Sequence, residues 1–327
     1  MRNAMEDKPS QSMEYVPPSC EAIAASQNSI RALRLLVAQR KLYHVAKRWA
    51  FLRTIGLSVV AIAAPVITAA YPAASVAVGA VAGVWIFLSR TVFLGVERKK
   101  AAAGASVQEQ FDLLVYSMPD IALRDPYVTP EEISSLVGDD ASVETAAKRE
   151  KLFDWYPVDT ALDGDVGIAI MQRANAAYAE RLHNSNANVW LAVAISWSVI
   201  AVGLSLSLGL SLETFLLGVA LPVLPSLLDV IEQWRITKQA GAERRALAAG
   251  IERLIRGQDE HELSGQDLLV WQGQLYNLRR EAPQIPTLIY KRTRHKNEQA
   301  MNAAAAELSR AAKNRSRPAI TDQEKDS

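Results

Sequence analysis

Only one cysteine, Cys20, occurs in 327 residues, which excludes a disulfide framework and any metal site built on several thiolates. The four histidines, His44, His183, His261 and His295, are far apart, and none has a partner at the i, i+3 or i, i+4 spacing that a helix-borne metal pair needs. Phosphate-binding loops of the GxxxxGK type are missing, as are GxGxxG, GxSxG and HExxH. The sequence therefore offers no candidate catalytic residue, no metal site and no cofactor. Asp159, Asp163 and Asp165 share a glycine-containing loop and read as a solvated turn, as do Asp139 and Asp140. A basic start followed by an apolar core is also missing: residues 1–20 are polar and hold Pro9, Pro17 and Pro18, unlike a cleavable signal. Residues 1–28 are expected to be a disordered cytoplasmic lead, and residues 317–327 a frayed end.

Acidic residues are absent from the whole of residues 22–96, which hold eight Lys or Arg. The balance reverses to ten acids against three bases over residues 131–165, then to sixteen bases against nine acids over residues 234–317. Within this layout lie four apolar runs. Residues 54–70 and 73–89 are seventeen residues each without a charge, and residues 188–212 continue for 25. The fourth, residues 214–230, is interrupted by Pro222, Pro225 and Asp229. A bilayer core of ~30 Å needs ~20 helical residues, with ~17 as the lower limit. Buried helices of soluble folds rarely run so far without a charge, because one edge usually meets water. The expectation is an all-α, polytopic helical membrane protein with four transmembrane helices in two hairpins and an α-rich cytoplasmic unit.

Flanking charge orients it. Arg40, Lys41, Lys47, Arg48 and Arg53 precede the first span, Arg90, Arg98, Lys99 and Lys100 follow the second, and Arg235, Lys238, Arg244 and Arg245 follow the fourth. The turns near Tyr71-Pro72 and Ser211-Leu212 carry almost no charge. Basic flanks stay inside, so both termini and every sizeable polar segment are expected in the cytoplasm. The expected segments are a basic amphipathic helix over 29–53, a first hairpin over 54–96, a cytoplasmic insert over 97–187, a second hairpin over 188–231 and a cytoplasmic helical tail over 232–316.

In the first of these, Leu35, Leu42, Ala46 and Trp49 share one helical face, while Arg34, Lys41 and Arg48 recur every seven residues with Arg40 and Lys47 alongside. Such a stripe suits either anionic headgroups or the phosphates of a soluble ligand. In the insert, Thr129-Pro130-Glu131-Glu132 has the form of a helix start. Inside the membrane, Gly79 and Gly83 form a GxxxG motif that lets a second helix approach closely. Ser196, Ile200, Gly203 and Ser207 make a small, weakly polar stripe, suited either to helix contact or to a water path between several copies. Pro222 and Pro225 should kink the fourth helix, and Asp229 either snorkels to the interface or stands at a pore mouth.

Several segments together resemble the SMODS-associated four-transmembrane effector family. They are Gln39-Arg40-Lys41-Leu42-Tyr43 with Ala46-Lys47, Gln108-Glu109-Gln110-Phe111-Asp112 with Val115-Tyr116 and Pro119, Asp154-Trp155-Tyr156-Pro157, and Gln172-Arg173-Ala174-Asn175 with Arg181-Leu182. Their order around four spans, across roughly residues 27–256, carries the resemblance. It implies a pore-forming effector of bacterial antiphage defence in the inner membrane. A cyclic oligonucleotide from a cognate nucleotidyltransferase would gate it, killing the infected cell. Its partners would be the bilayer, that second messenger and further copies in a homo-oligomer, with no direct binding of DNA or RNA. A multiply charged phosphate ligand needs cations, so Arg40, Lys47, Arg173 and Arg181 are the candidate contacts. The alternative is a membrane-anchored signalling scaffold whose cytoplasmic helices recruit a partner.

Overall fold

A computed structural model describes residues 15–120, 125–216, 220–259 and 261–316. Among these there are helices and turns but no strand. The first helices are α1 (Cys20–Gln27), α2 (Ile30–Ala70) and α3 (Ser75–Leu88). A π-helical segment, Ser89–Phe93, joins α3 to α4 (Leu94–Val115). The short α5 (Pro130–Val137) and α6 (Asp140–Glu150) precede the long α7 (Gly164–Ser207). After α8 (Leu212–Phe215) come α9 (Leu221–Ile255), α10 (Gly265–Arg280) and α11 (Thr287–Ser316).

Helix starts follow local chemistry. Ser29 caps α2 through Ala32 N–H, and Thr129 and Glu132 close a reciprocal capping box on α5 with Pro130 in its first turn. Ser264 and Asp267 do the same for α10.

The sharp polar-to-apolar changes in the sequence do not interrupt the backbone. The basic amphipathic segment and the first apolar run are one 41-residue helix, α2. The end of the insert and the third run are one 44-residue helix, α7. At ~1.5 Å per residue both exceed 60 Å, twice a bilayer core. What changes near residues 54 and 188 is composition, while helical hydrogen bonding continues through both.

Among the described residues, two helices are long and apolar enough to cross a membrane, Val76–Val115 and Gly164–Ser207, and their apolar windows are only 6% and 12% buried. A soluble core helix would be mostly enclosed. Here Val76, Val81, Phe87, Val199 and Leu206 face outward. The 54–70 run forms the last part of α2, and the fourth run supplies α8 and the start of α9.

Away from these apolar ends, α2 packs along α4, α7 along α9, α11 against α7, and α10 bridges α4 and α7. The core sits here, around Leu36, Phe111, Ile168, Met171, Ile251 and Leu268.

Residues 15–28 correct the expected disordered lead. Tyr15 donates to the Tyr116 carbonyl at 2.6 Å, and Cys20 and Ile23 are buried. Cys20 Sγ lies 2.2 Å from where a Cβ on Gly167 would stand, so α1 docks on the first turn of α7 only because that position is glycine. Prolines at 17 and 18 mark an extended, packed segment. Residues 1–14 and 317–327, the rest of the expected disorder, lie outside the described residues.

Candidate functional site

A cavity of about 830 Å³ opens where α2, α7, α9 and α11 meet the loop after α6. From α2 it takes Gln39, Arg40, Tyr43, His44 and Lys47. These fall on one side because 39, 43 and 47, like 40, 44 and 47, repeat at helical spacing. The loop contributes Phe153, Asp154 and Trp155, α7 contributes Asn175, Tyr178 and His183, and α11 contributes Tyr290 and Arg294. Six Lys or Arg line the space (Arg40, Lys47, Lys151, Arg244, Arg279 and Arg294) against two acids, Asp154 and Glu298.

The loop bearing Trp155 is held under strain. Lys151 and Asp154 adopt left-handed φ values of 55° and 50°, which cost non-glycine residues of order 1–3 kcal/mol each. Its anchors are specific. Leu152 is fully buried, Asn28 donates to Asp154 Oδ1 at 2.8 Å, and Gln27 accepts from Tyr156 N–H at 2.9 Å.

Beneath the cavity runs a buried polar network. Tyr156 donates to Asp112 Oδ1 at 2.7 Å and Arg279 donates to Asp112 Oδ2 at 2.6 Å. Gln272 donates to Glu109 at 2.7 Å, and Gln172 donates to Gln272 at 3.0 Å. Asn175 donates to Tyr156 Oη at 3.0 Å, and Gln39 donates to Gln108 at 2.8 Å. Glu109 and Asp112 are wholly enclosed, and a buried carboxylate persists only when paired in this way. The segments around Gln108, Tyr156 and Gln172 thus act as one scaffold for the cavity wall.

Electrostatics in the cavity suit an anion. Burial, and then the field of Arg40, pull the Lys47 ammonium down to about 8. Burial, with Lys47 beside it, also lowers His44, and burial pushes His183 down to about 3, leaving a neutral imidazole. Where burial disfavours a cation, as at Lys47, incoming negative charge relieves it. Arg279, its side chain 9% exposed, keeps Nε and Nη2 without partners, and Arg40 Nε is likewise unpaired. Among the described residues no cluster of three or more His, Cys, Asp or Glu could hold a metal ion.

Of the four candidate cations, Arg40 and Lys47 line the cavity. Arg173 and Arg181 do not. Arg173 donates to Glu252 at 2.8 Å, tying α7 to α9, and Arg181 donates to Asn297 at 2.9 Å, tying α7 to α11. The other half of the basic stripe holds the small helices: Lys41 donates to the Leu136 carbonyl at 2.7 Å, and Arg34 pairs with Asp140. Arg279, Tyr290 and Arg294 come from the tail, expected from the sequence only as a cytoplasmic helical segment.

The small residues among the membrane candidates lie open within the chain. A Cβ on Gly79, Gly83 or Gly203 would meet nothing within 4 Å, so none packs against another helix of its own chain. The close approach is at Gly56, where a Cβ would stand 1.8 Å from the Trp85 ring. Ser196, Gly203 and Ser207 face outward, Ser207 donating back to the Gly203 carbonyl at 2.8 Å. Pro222 falls in the first turn of α9, where a missing N–H is tolerated, and Pro225 lies one turn further in, where its nitrogen cannot donate to the Leu221 carbonyl. Asp229 accepts from Arg90 at 2.5 Å, linking α9 to the π-helical segment.

Compared with known families, the chain matches the one described as "SMODS-associating 4TM effector domain" over residues 21–308. It belongs to that family. The match takes in α10 and most of α11, so the tail that walls the cavity is part of the effector domain rather than an appendage. The effector is accordingly an all-helical membrane protein. No curated protein and no solved structure matches it.

Proposed function

We propose that the effector is a pore-forming protein of bacterial antiphage defence, opened by a cyclic oligonucleotide that binds the 830 Å³ cavity. The observation that carries this reading is the continuity of the cavity wall with the apolar runs. Arg40 and Lys47 stand on α2, and the first apolar run begins seven residues after Lys47 on the same helix, ~10 Å further along. Asn175, Tyr178 and His183 stand on α7, which continues into the third run. Ligand contacts on these helices need no separate relay to reach lipid.

The energetics are adequate. Moving a channel from mostly closed to mostly open takes ~5.5 kcal/mol of preference for the open state. Hydrogen bonds to charged groups contribute ~1.5–3 kcal/mol each, so four phosphate contacts from Arg40, Lys47, Arg279 and their neighbours suffice when they form only in the open state.

In this reading four spans cross the inner membrane as two hairpins, with both termini and the cavity in the cytoplasm. Several copies assemble, the outward Gly79, Gly83 and Gly203 allowing close helix approach between them, and opening kills the infected cell. The test is release of an entrapped dye from liposomes containing the effector when 3′,5′-linked cyclic di- and trinucleotides are added. Release dependent on one of them is expected. Release by none, from vesicles shown to contain folded protein, would contradict the reading.

A further inference from the structure

Arg40 makes an arrangement that phosphate binding alone does not require. Its guanidinium carbon lies 5.4 Å from the centre of the Trp155 ring and 5.3 Å from that of Tyr290, and Nη2 donates to Tyr290 Oη at 3.1 Å. Tyr290 carries further cations, Lys47 Nζ at 5.6 Å and Arg294 at 5.9 Å, and Tyr178 meets it edge-on at 6.5 Å. Two aromatic faces from distant parts of the chain, residues 155 and 290, thus converge on one flat cation in the cavity.

A guanidinium and a nucleobase are both planar, and both stack on aromatic faces. We infer that Trp155 and Tyr290 form a stacking slot for one nucleobase of the ligand, and that Arg40 occupies this slot in the unliganded protein and leaves it for a phosphate when the base enters. This inference rests on the cavity being the nucleotide site.

Three features of the wall support the exchange. Arg40 Nε is buried without a partner, so the resting position leaves part of its hydrogen-bonding capacity unused. The side chain must be long and mobile to exchange partners, whereas Trp155 is fixed by the strained, doubly anchored loop. Tyr290 lies in the first turn of α11, just after Pro283 and Pro286, where it can adjust to a base without repacking the helix core. The aromatic faces thereby read a base, and the cavity cations, Arg40 and Lys47 foremost, read the phosphates. Simple polyphosphates therefore bind without filling the slot.

The test uses the full-length effector in detergent micelles, titrated calorimetrically with the cyclic di- and trinucleotides, with ATP, and with tripolyphosphate as a base-free anion. Trp155→Leu and Tyr290→Leu should weaken binding of the best cyclic nucleotide ~5- to 150-fold, the range expected for losing one base stack. Trp155→Phe and Tyr290→Phe should restore most of it, and tripolyphosphate binding should change less than twofold in all four variants. Difference emission between wild type and Trp155→Phe should show Trp155 quenched by the nucleotide and not by tripolyphosphate. Leu variants that melt like wild type and bind the cyclic nucleotide equally well would overturn the slot while leaving the cavity reading intact. Binding of ATP alone, with the same aromatic dependence, would support the slot and overturn the cyclic ligand. Binding of no nucleotide would overturn both.

Discussion

Arg279 on α10 donates to Asp112 on α4 at 2.6 Å across 167 residues of sequence, and its side chain is 91% enclosed. This contact closes the floor of the cavity, because the same carboxylate accepts from Tyr156, whose loop carries Trp155. Removing one member of a buried pair strands the other's charge and typically costs ~3–5 kcal/mol. Arg279→Met should therefore lower the unfolding free energy by about that amount, read from thermal or denaturant unfolding in micelles. Tyr156→Phe, which removes a hydrogen bond to the same carboxylate, should cost ~1.5–3 kcal/mol.

Lys47 gives the proposed ligand site a defined pH dependence. Its pKa in the empty cavity is lowered to about 8, and a bound polyanion would raise it toward the ordinary lysine value of ~10.4. Below pH ~7 the ammonium is already charged, and Lys47 makes affinity independent of pH. Above pH ~8 binding must take up a proton, so the dissociation constant should rise by up to ~tenfold per pH unit until the bound-state value is reached. Calorimetry between pH 7 and 10 (~3 units) measures this, and Lys47→Arg, always protonated, should flatten the profile.

The four cations picked from the sequence should separate into two classes. Arg40→Gln and Lys47→Gln should each weaken nucleotide binding by ~10- to 100-fold, the effect of one charged hydrogen bond. Arg173→Gln and Arg181→Gln should leave affinity within ~twofold and lower the melting temperature instead, because Arg173 pairs with Glu252, Arg181 ties α7 to α11 through Asn297, and neither lines the cavity.

That division shows what the sequence could and could not convey. The helices were legible wherever a capping residue or a periodic face announced them, as at Thr129-Pro130 and over 29–53. Arg40 and Lys47 were legible because they stand close before an apolar run. Arg173 and Arg181 looked equivalent, since their acceptors lie 79 and 116 residues further on and no local pattern encodes that pairing. Tyr290 and Arg294 were missed for the converse reason. A charged helix after the last span carries no local mark of a ligand site, and only the fold brings it against α7. The one available signal was the density of cations around Tyr290, directly after Pro283 and Pro286.

Within the first hairpin, Gly56 should tolerate no side chain. A Cβ there would fall 1.8 Å from the Trp85 ring, so Gly56→Val must part α2 from α3, whereas Gly79→Val and Gly83→Val have open space around them. Melting temperature should drop for the first and hold for the other two. If copies pack through the outward GxxxG face, the latter pair should instead reduce the oligomer seen by chemical crosslinking in membranes.

Arg90 and Asp229 join the π-helical segment to α9 at 2.5 Å, both partly open to solvent. An exposed pair contributes only ~0–1 kcal/mol, so Asp229→Asn should leave the melting temperature nearly unchanged. If the pair holds the resting state, the same substitution should raise ligand-free dye leakage, and the swap Arg90→Asp with Asp229→Arg should suppress it.

The most direct test of the link between cavity and membrane is to measure nucleotide occupancy and ion flux on the same proteoliposomes across one titration. Occupancy and flux are expected to rise together, and Lys47→Gln should shift both to higher concentration by the same factor. A cavity saturated with nucleotide in membranes that stay sealed would contradict the account and favour a scaffold that only tethers its partners.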